Sequence, residues 1–243
     1  MHMSKRNPVA RYELTFLQAV LTGVMLLAGG PGSVSAQSLA PPVVMDELRW
    51  QKSIDAFAAE DRLLAPPTGG IVFVGSSSIR LWDELEMNFR RPDRVILNRG
   101  FGGARMSDCT RYLERVVIPY KPRLVLVYAG DNDLAEGREP VDVLNQFVSF
   151  VGGVRRSLPD TRIAYISIKP SPARQRLMVK VRETNDLVAN YVASSQNLDF
   201  IDVFTPMLDA EGQPRRELFR ADSLHLSRDG YALWKSIIAP HLR

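Results

Sequence analysis

The chain has 243 residues, 45% of them hydrophobic, which is enough for one or two domains with a full core. One cysteine, Cys109, excludes an internal disulfide and a thiolate metal cluster, and three histidines, at 2, 225 and 241, argue against a multi-histidine metal site. The net charge of +4 comes without a basic stripe interleaved with aromatics, so a nucleic-acid partner is not expected.

The first segment reads as a secretory signal peptide over residues 1–36. Lys5, Arg6 and Arg11 form a basic start, and Phe16 to Ala28 is largely apolar. Val34-Ser35-Ala36 offers a small-residue cleavage site before Gln37. An uncleaved anchor is the alternative, but the apolar run is shorter than the ~20 residues a bilayer span needs. No cysteine lies near the cleavage site to carry a lipid. Cleavage removes three basic residues and Glu13, lowering the charge from +4 to +2. The expected product is periplasmic or secreted, with a proline-containing leader over 37–44 and a single domain over 45–243.

Within that domain, apolar spacing predicts a helix from Met45 to Leu64. Ile71 to Val74 then reads as a buried strand, broken by Gly75 and followed by three serines where a helix should begin. Arg94 to Asn98 reads as a second strand running into the loop Arg99-Gly100-Phe101-Gly102-Gly103. Arg123 to Tyr128 is a third, ending in Ala129-Gly130-Asp131-Asn132-Asp133. Helical spacing follows over Val141 to Leu158, then a strand over Arg162 to Ile168 and the turn Lys169 to Pro172. A long helix is expected over Ala173 to Ser194, a short fifth strand over Asp199 to Val203, and a closing helix over Ser227 to Leu242. Nearly continuous apolar strands alternating with helices predict an α/β fold: a three-layer α/β/α sandwich around a mostly five-stranded parallel sheet.

In such sheets ligands bind beyond the carboxyl ends of the strands. That rule gathers the serine turn, the glycine loop and the Asn132 loop on one edge. A serine at a strand-to-helix turn serves equally as an N-cap, an anion ligand or a nucleophile. A nucleophile needs a base. His2 leaves with the signal and His241 sits near the chain end, so His225 remains, with Asp222 three residues upstream. That spacing suits a carboxylate that orients an imidazole, and equally a surface helix cap. Asn132 and the glycines have plain turn-forming readings as well.

These blocks, in this order, resemble those of the SGNH hydrolases, also called the GDSL esterase/lipase family, over about Trp50 to the C-terminus. The strings are similar in particular to the branch containing platelet-activating-factor acetylhydrolase-like esterases. The resemblance matches Val74-Gly75-Ser76-Ser77-Ser78 to the nucleophile block, which makes Ser77 the nucleophile. It matches Gly103 and Asn132, with the Ser77 N–H, to the oxyanion hole, and Asp222 and His225 to the acid and base. Ser76 stands where the family usually has Asp, and Ala104 where related esterases often have Asp. Ser76 and Ser78 therefore stay open as alternatives to Ser77.

What the resemblance implies is a flavodoxin-like SGNH fold and hydrolysis of acyl esters through an acyl-serine, with no metal or organic cofactor. The expected partner is a small-molecule ester or an acylated carbohydrate or lipid, with no stable membrane span once the signal is removed. The absence of a long lid-like insertion favours short acyl groups. Arg80, Asp131 and Asp133 read as loop supports, and Phe101 and the Lys169–Pro172 loop as pocket-shaping candidates. Two rival readings remain: a catalytically silent glycan-binding SGNH domain of the envelope, and a flavodoxin-like ligand-binding module.

Overall fold

The computed structural model describes residues 49–243. The signal-peptide and leader assignments, and residues 45–48 of the expected domain, lie outside this range. Among the described residues no helix is long and apolar enough to cross a membrane.

The sheet has five strands: β1 (Ile71–Gly75), β2 (Ile96–Gly100), β3 (Leu124–Tyr128), β4 (Arg162–Ile166) and β5 (Leu198–Ile201). Their order is β2-β1-β3-β4-β5, and every pairing is parallel. The expected α/β architecture is therefore the one observed. Because side chains alternate along a strand, each strand feeds two cores. Val72, Val74, Val125, Val127, Ile163 and Tyr165 join one buried cluster, whereas Ile71, Phe73, Leu124, Leu126, Ala164 and Ile166 join the other. Both faces being covered, the strands lack the polar alternation of a half-exposed sheet.

Helices fill both outer layers. On the first face lie α1 (Gln51–Leu63) and the short helices α4 (Met106–Arg111) and α5 (Leu113–Val116). The long helices α7 (Pro140–Ser157) and α8 (Met178–Ala193) complete that layer. The second face is covered by α2 (Ser77–Arg80), α3 (Leu85–Phe89) and α9 (Arg228–Ile238), and α6 (Asp131–Ala135) caps the end of β3. Trp82 centres the second layer, stacked on Tyr231 at 5.1 Å between ring centroids and edge-on to Trp234 at 6.1 Å. Connections from β1 run outward to β2 on one side and, through β2, back to β3 on the other. The strand order thus reverses between β1 and β3, which opens a crevice at their carboxyl ends.

Several boundaries differ from expectation, and the following have a physical reason. Strand β2 begins at Ile96 and extends to Gly100, so Arg99 is a strand residue. Its guanidinium is buried, bound by Asp61 at 2.6 Å and the Tyr120 hydroxyl at 2.8 Å, which a purely local reading cannot see. The helix expected from Ala173 begins at Met178. Before it, Pro172–Leu177 forms a 3-10 turn with Arg174 at φ −116° and ψ 24°, outside helical values. Strand β5 ends at Ile201, because the next backbone donors bond to the Ser167 hydroxyl instead: Val203 N at 2.9 Å and Phe204 N at 3.0 Å. The closing helix is capped by the Ser227 hydroxyl, which accepts from Gly230 N at 3.2 Å, and yields after Ile238 to a 3-10 turn containing Pro240. Proline has no N–H to continue the ladder.

Two glycines should respond oppositely to alanine. Gly152, inside α7, has open space where a Cβ would stand, so Gly152→Ala should gain about 0.5–1 kcal/mol from the lost glycine entropy. Gly75 has φ +143°, and a Cβ there would lie 2.0 Å from the Tyr128 carbonyl oxygen. Gly75→Ala should therefore lose about 2–6 kcal/mol by combined strain and overpacking. Urea unfolding of both variants beside the parent checks the two signs.

Candidate active site

The first strand dictates the site's position. Gly75, pressed against the β3 backbone, lets the chain leave the sheet sharply, and Ser76 N bonds to Tyr128 O at 2.9 Å. The four-residue helix α2 then starts at once, with Ser77 as its first residue. Of the three serines, Ser76 and Ser78 have buried hydroxyls without a hydrogen-bond partner among the described residues. Only Ser77 reaches a base: its Oγ lies 3.0 Å from Nε2 of His225.

His225 is held from behind. Its Nδ1 lies 2.6 Å from Oδ2 of Asp222, while Oδ1 of the same carboxylate accepts the backbone N–H groups of Leu224 and His225, each at 2.9 Å. Ser223 takes φ +56° to close this turn. Partial burial pushes the Asp222 carboxyl up, but the His225 ring N–H and the two backbone donors outweigh it and hold the group well below the ordinary carboxylate range. A carboxylate that stays ionised fixes the proton on Nδ1 and leaves the Nε2 lone pair facing Ser77.

Opposite the serine stand the other two strand-end loops. Gly103 adopts φ +78°, and among the described residues neither its N–H nor that of Ser77 donates to another backbone carbonyl. Asn132, second residue of α6, is fixed at both ends of its amide: Oδ1 accepts from Arg174 Nη2 at 2.8 Å, and Nδ2 donates to Ala104 O at 3.0 Å. The second Nδ2 hydrogen remains available. Ser77, Gly103, Asn132 and His225 all face one open cleft of about 600 Å³. All five residues singled out from the sequence are thus brought together.

A buried ionic group under Asn132 was not foreseen. Asp131 meets Lys169 Nζ at 3.2 Å and Arg174 Nη1 at 3.0 Å, and Lys169 also donates to the Tyr128 hydroxyl at 3.0 Å. Burial pulls the Lys169 ammonium below its ordinary value, against the pull of Asp131. Burial likewise pushes Asp131 up, but Lys169 and Arg174 outweigh it and keep the carboxyl low. The only sequence signal was a lysine opening the turn Lys169 to Pro172, directly after an apolar strand. Phe101, expected to shape the pocket, is instead fully buried, edge-on to Trp50 at 6.1 Å and Tyr112 at 5.9 Å. It anchors the glycine loop from below. The cleft wall it was assigned to is supplied by Arg49, Trp50 and Arg80.

Among the described residues no group of three His, Cys, Asp or Glu side chains is placed to hold a metal ion. Cys109 is buried, and burial pushes its thiol well up, so it is an inert core residue.

Asp133 ties the second loop to the third, its carboxylate accepting from Met106 N at 3.1 Å. Burial raises its pKa from 3.8 to about 6. The folded state therefore keeps this proton over a range where the unfolded chain has lost it, and stability falls as pH rises from about 4 to about 6. Asp133→Asn removes that loss. Its stability relative to the parent should improve by about 2–3 kcal/mol across this window in urea unfolding at stepped pH.

Comparisons with known proteins give the family and the fold. The profile of the GDSL-like Lipase/Acylhydrolase family matches residues 74–233. Among solved structures, a Streptococcus pneumonia protein provisionally described as a platelet activating factor superposes with a TM-score of 0.69 at 22% identity, covering 83% of this chain and 98% of its own. A GDSL-like lipase from Bacteroides thetaiotaomicron gives 0.64 at 20% identity, over 78% and 96% of the two chains. An acetyl esterase crystallised with acetate gives 0.56 at 16% identity, over 72% and 96%. No curated protein sequence matches significantly. At these identities the structures share the fold alone, while the profile spans more than half of the sequence. The chain belongs to the GDSL-like lipase/acylhydrolase family and is an ester hydrolase of the SGNH type.

Proposed function

We propose that this protein is an exported serine esterase that hydrolyses carboxylic esters of short acyl groups through an acyl-enzyme on Ser77. The observation that carries this reading is the continuous chain from Asp222 through His225 to Ser77, at 2.6 Å and 3.0 Å, opening on a cleft lined by Gly103 and Asn132. His225 Nε2 accepts the Ser77 proton as Oγ attacks the ester carbonyl, and Asp222 stabilises the imidazolium so formed. The carbonyl oxygen becomes an oxyanion, received by the Ser77 and Gly103 N–H groups and the free Asn132 hydrogen. Collapse breaks the bond to the alcohol, which leaves with the proton from His225. Water then attacks the acyl-serine, His225 taking its proton and returning it to Oγ.

Arg174 belongs to this scheme as a positioning residue. With its guanidinium on Oδ1, the Asn132 amide cannot flip to aim its oxygen at the oxyanion. The acetyl esterase among the structural neighbours favours small acyl groups, such as those of O-acetylated sugars. Lysophospholipids remain within the same chemistry. Export rests on the basic and apolar pattern of residues 1–36, with a single hydrolase domain following the leader. Expression in a bacterial host with a periplasm should yield a mature chain beginning at Gln37, read by N-terminal sequencing. A chain retaining Met1 in the cytoplasm contradicts it.

The purified protein should hydrolyse 4-nitrophenyl acetate. Ser77→Ala and His225→Ala should each lower kcat by about 10³-fold or more. Asn132→Ala should lower kcat by about 10²–10³-fold, the usual effect of removing one oxyanion donor. Ser76→Ala and Ser78→Ala should keep most of the activity, since their hydroxyls point into the protein. Steady-state kinetics of the five variants checks the assignment.

A further inference from the structure

We propose that the cleft is built for esters carrying an anionic group, a carboxylate or a phosphate, near the scissile bond, and that Arg80 receives it with help from Arg49. This rests on the serine-esterase reading above. Arg80 ends the α2 turn that Ser77 begins. Residues three apart on a helix share a face, so nucleophile and guanidinium project to the same side. The guanidinium lies across the glycine loop: a Cβ on Gly102 would stand 2.8 Å from Arg80 Nε. On the next residue, a Cβ on Gly103 would stand 3.1 Å from Arg49 Nη2. Two consecutive glycines, their Cα atoms about 3.8 Å apart, thus each leave room for a guanidinium beside the proposed oxyanion hole.

The charge around this mouth is unbalanced. The Arg80 side chain is exposed and makes no hydrogen bond or ion pair among the described residues. Arg49 stacks on Trp50 at 4.6 Å and meets Glu136 at 3.5 Å. Glu136 also meets Arg105 at 3.5 Å, but Arg105 is held more closely by Asp108 at 3.0 Å, so Arg49 and Arg105 are balanced by Glu136 and Asp108 and the Arg80 guanidinium is the cation left over. Asp222 is committed to His225. Arg80 was read from the sequence as a loop support, but its Nε and Nη groups bond to nothing in the loop it crosses. A free guanidinium presents a planar fork that fits carboxylate and phosphate oxygens alike, and a cleft of one charge sign raises the local concentration of oppositely charged substrate. A neutral acetyl ester uses none of this.

The test is a ratio of kcat/KM values, anionic ester over its neutral counterpart, for the parent, Arg80→Gln and Arg49→Gln. 4-Nitrophenyl hydrogen succinate against 4-nitrophenyl butyrate places the charge on the acyl side. Acetylsalicylate against phenyl acetate places a carboxylate on the alcohol side. 2-Acetoxyethyl phosphate against 2-acetoxyethanol replaces the carboxylate by a phosphate. The expected result is that at least one ratio falls about tenfold or more in Arg80→Gln, and several-fold in Arg49→Gln. The same ratio should fall in the parent between about 0.01 M and about 1 M salt. The pair that responds identifies the anion and its side. Equal losses on both members of every pair, or no change in any, would overturn the proposal by leaving the arginines a structural role only. Should no ester be hydrolysed, the esterase reading fails separately, and calorimetric titration with inorganic phosphate decides the anion site. Binding by the parent that is lost in Arg80→Gln supports the site, and no binding overturns it.

Discussion

The contact on which this structure turns is the approach of Gly75 to the β3 backbone. No side chain fits between Gly75 and the Tyr128 carbonyl, so β1 and β3 lie together to their last residues and β1 ends in an abrupt turn. That turn puts Ser77 at the mouth of the crevice where strand order reverses. The same constraint places Gly100 against the backbone of α2, since a Cβ there would stand 2.4 Å from Arg80 N. The serine turn and the glycine loop are thereby packed as one unit, and the spacing between nucleophile and second loop is set by backbone against backbone. A site built on strand ends in this way is held more rigidly than one carried on free loops.

Beneath that unit the protein keeps charge where a core would ordinarily be apolar. Asp131, Lys169, Arg174 and the Tyr128 hydroxyl form one buried group whose outer end holds the Asn132 amide. Burying these ions costs stability that their mutual attraction only partly offsets. What the arrangement contributes instead is orientation: an asparagine donor that cannot flip, and beside it Asp133 holding the start of α4. The cost is borne at the carboxyl edge of the sheet. The two apolar cores on either face, with Trp82 and Trp234 at the centre of one, supply the stability that tolerates it.

Most of the fold was legible because its signals are local. Ile71 to Val74 and Leu124 to Tyr128 are short, uninterrupted apolar runs rich in β-branched and aromatic residues, the pattern of strands buried on both faces. Elimination left one usable histidine with an acid three residues away, and strand order gathered three polar loops, but the roles of Ser77, Gly103 and Asn132 came from the resemblance to the SGNH hydrolases. Choosing Ser77 over its neighbours was not possible from residue type, since three identical side chains differ only in which way the turn points them. Arg99 hid a strand end because its partners, Asp61 and Tyr120, lie far away in sequence. Arg174 and Lys169 hid a function because a charge in a proline-rich turn looks solvated until the tertiary structure covers it. Arg80 was judged by its neighbours along the chain, whereas its position depends on a glycine in another loop.

The central claim is that Ser77, activated by His225, is the nucleophile. Its most direct test is reaction of the purified protein with a fluorophosphonate, followed by peptide mapping of the adduct by mass spectrometry. The account predicts a single adduct on Ser77, absent when His225 is replaced by alanine. An adduct on Ser76 or Ser78, or no adduct on the folded protein, would contradict it.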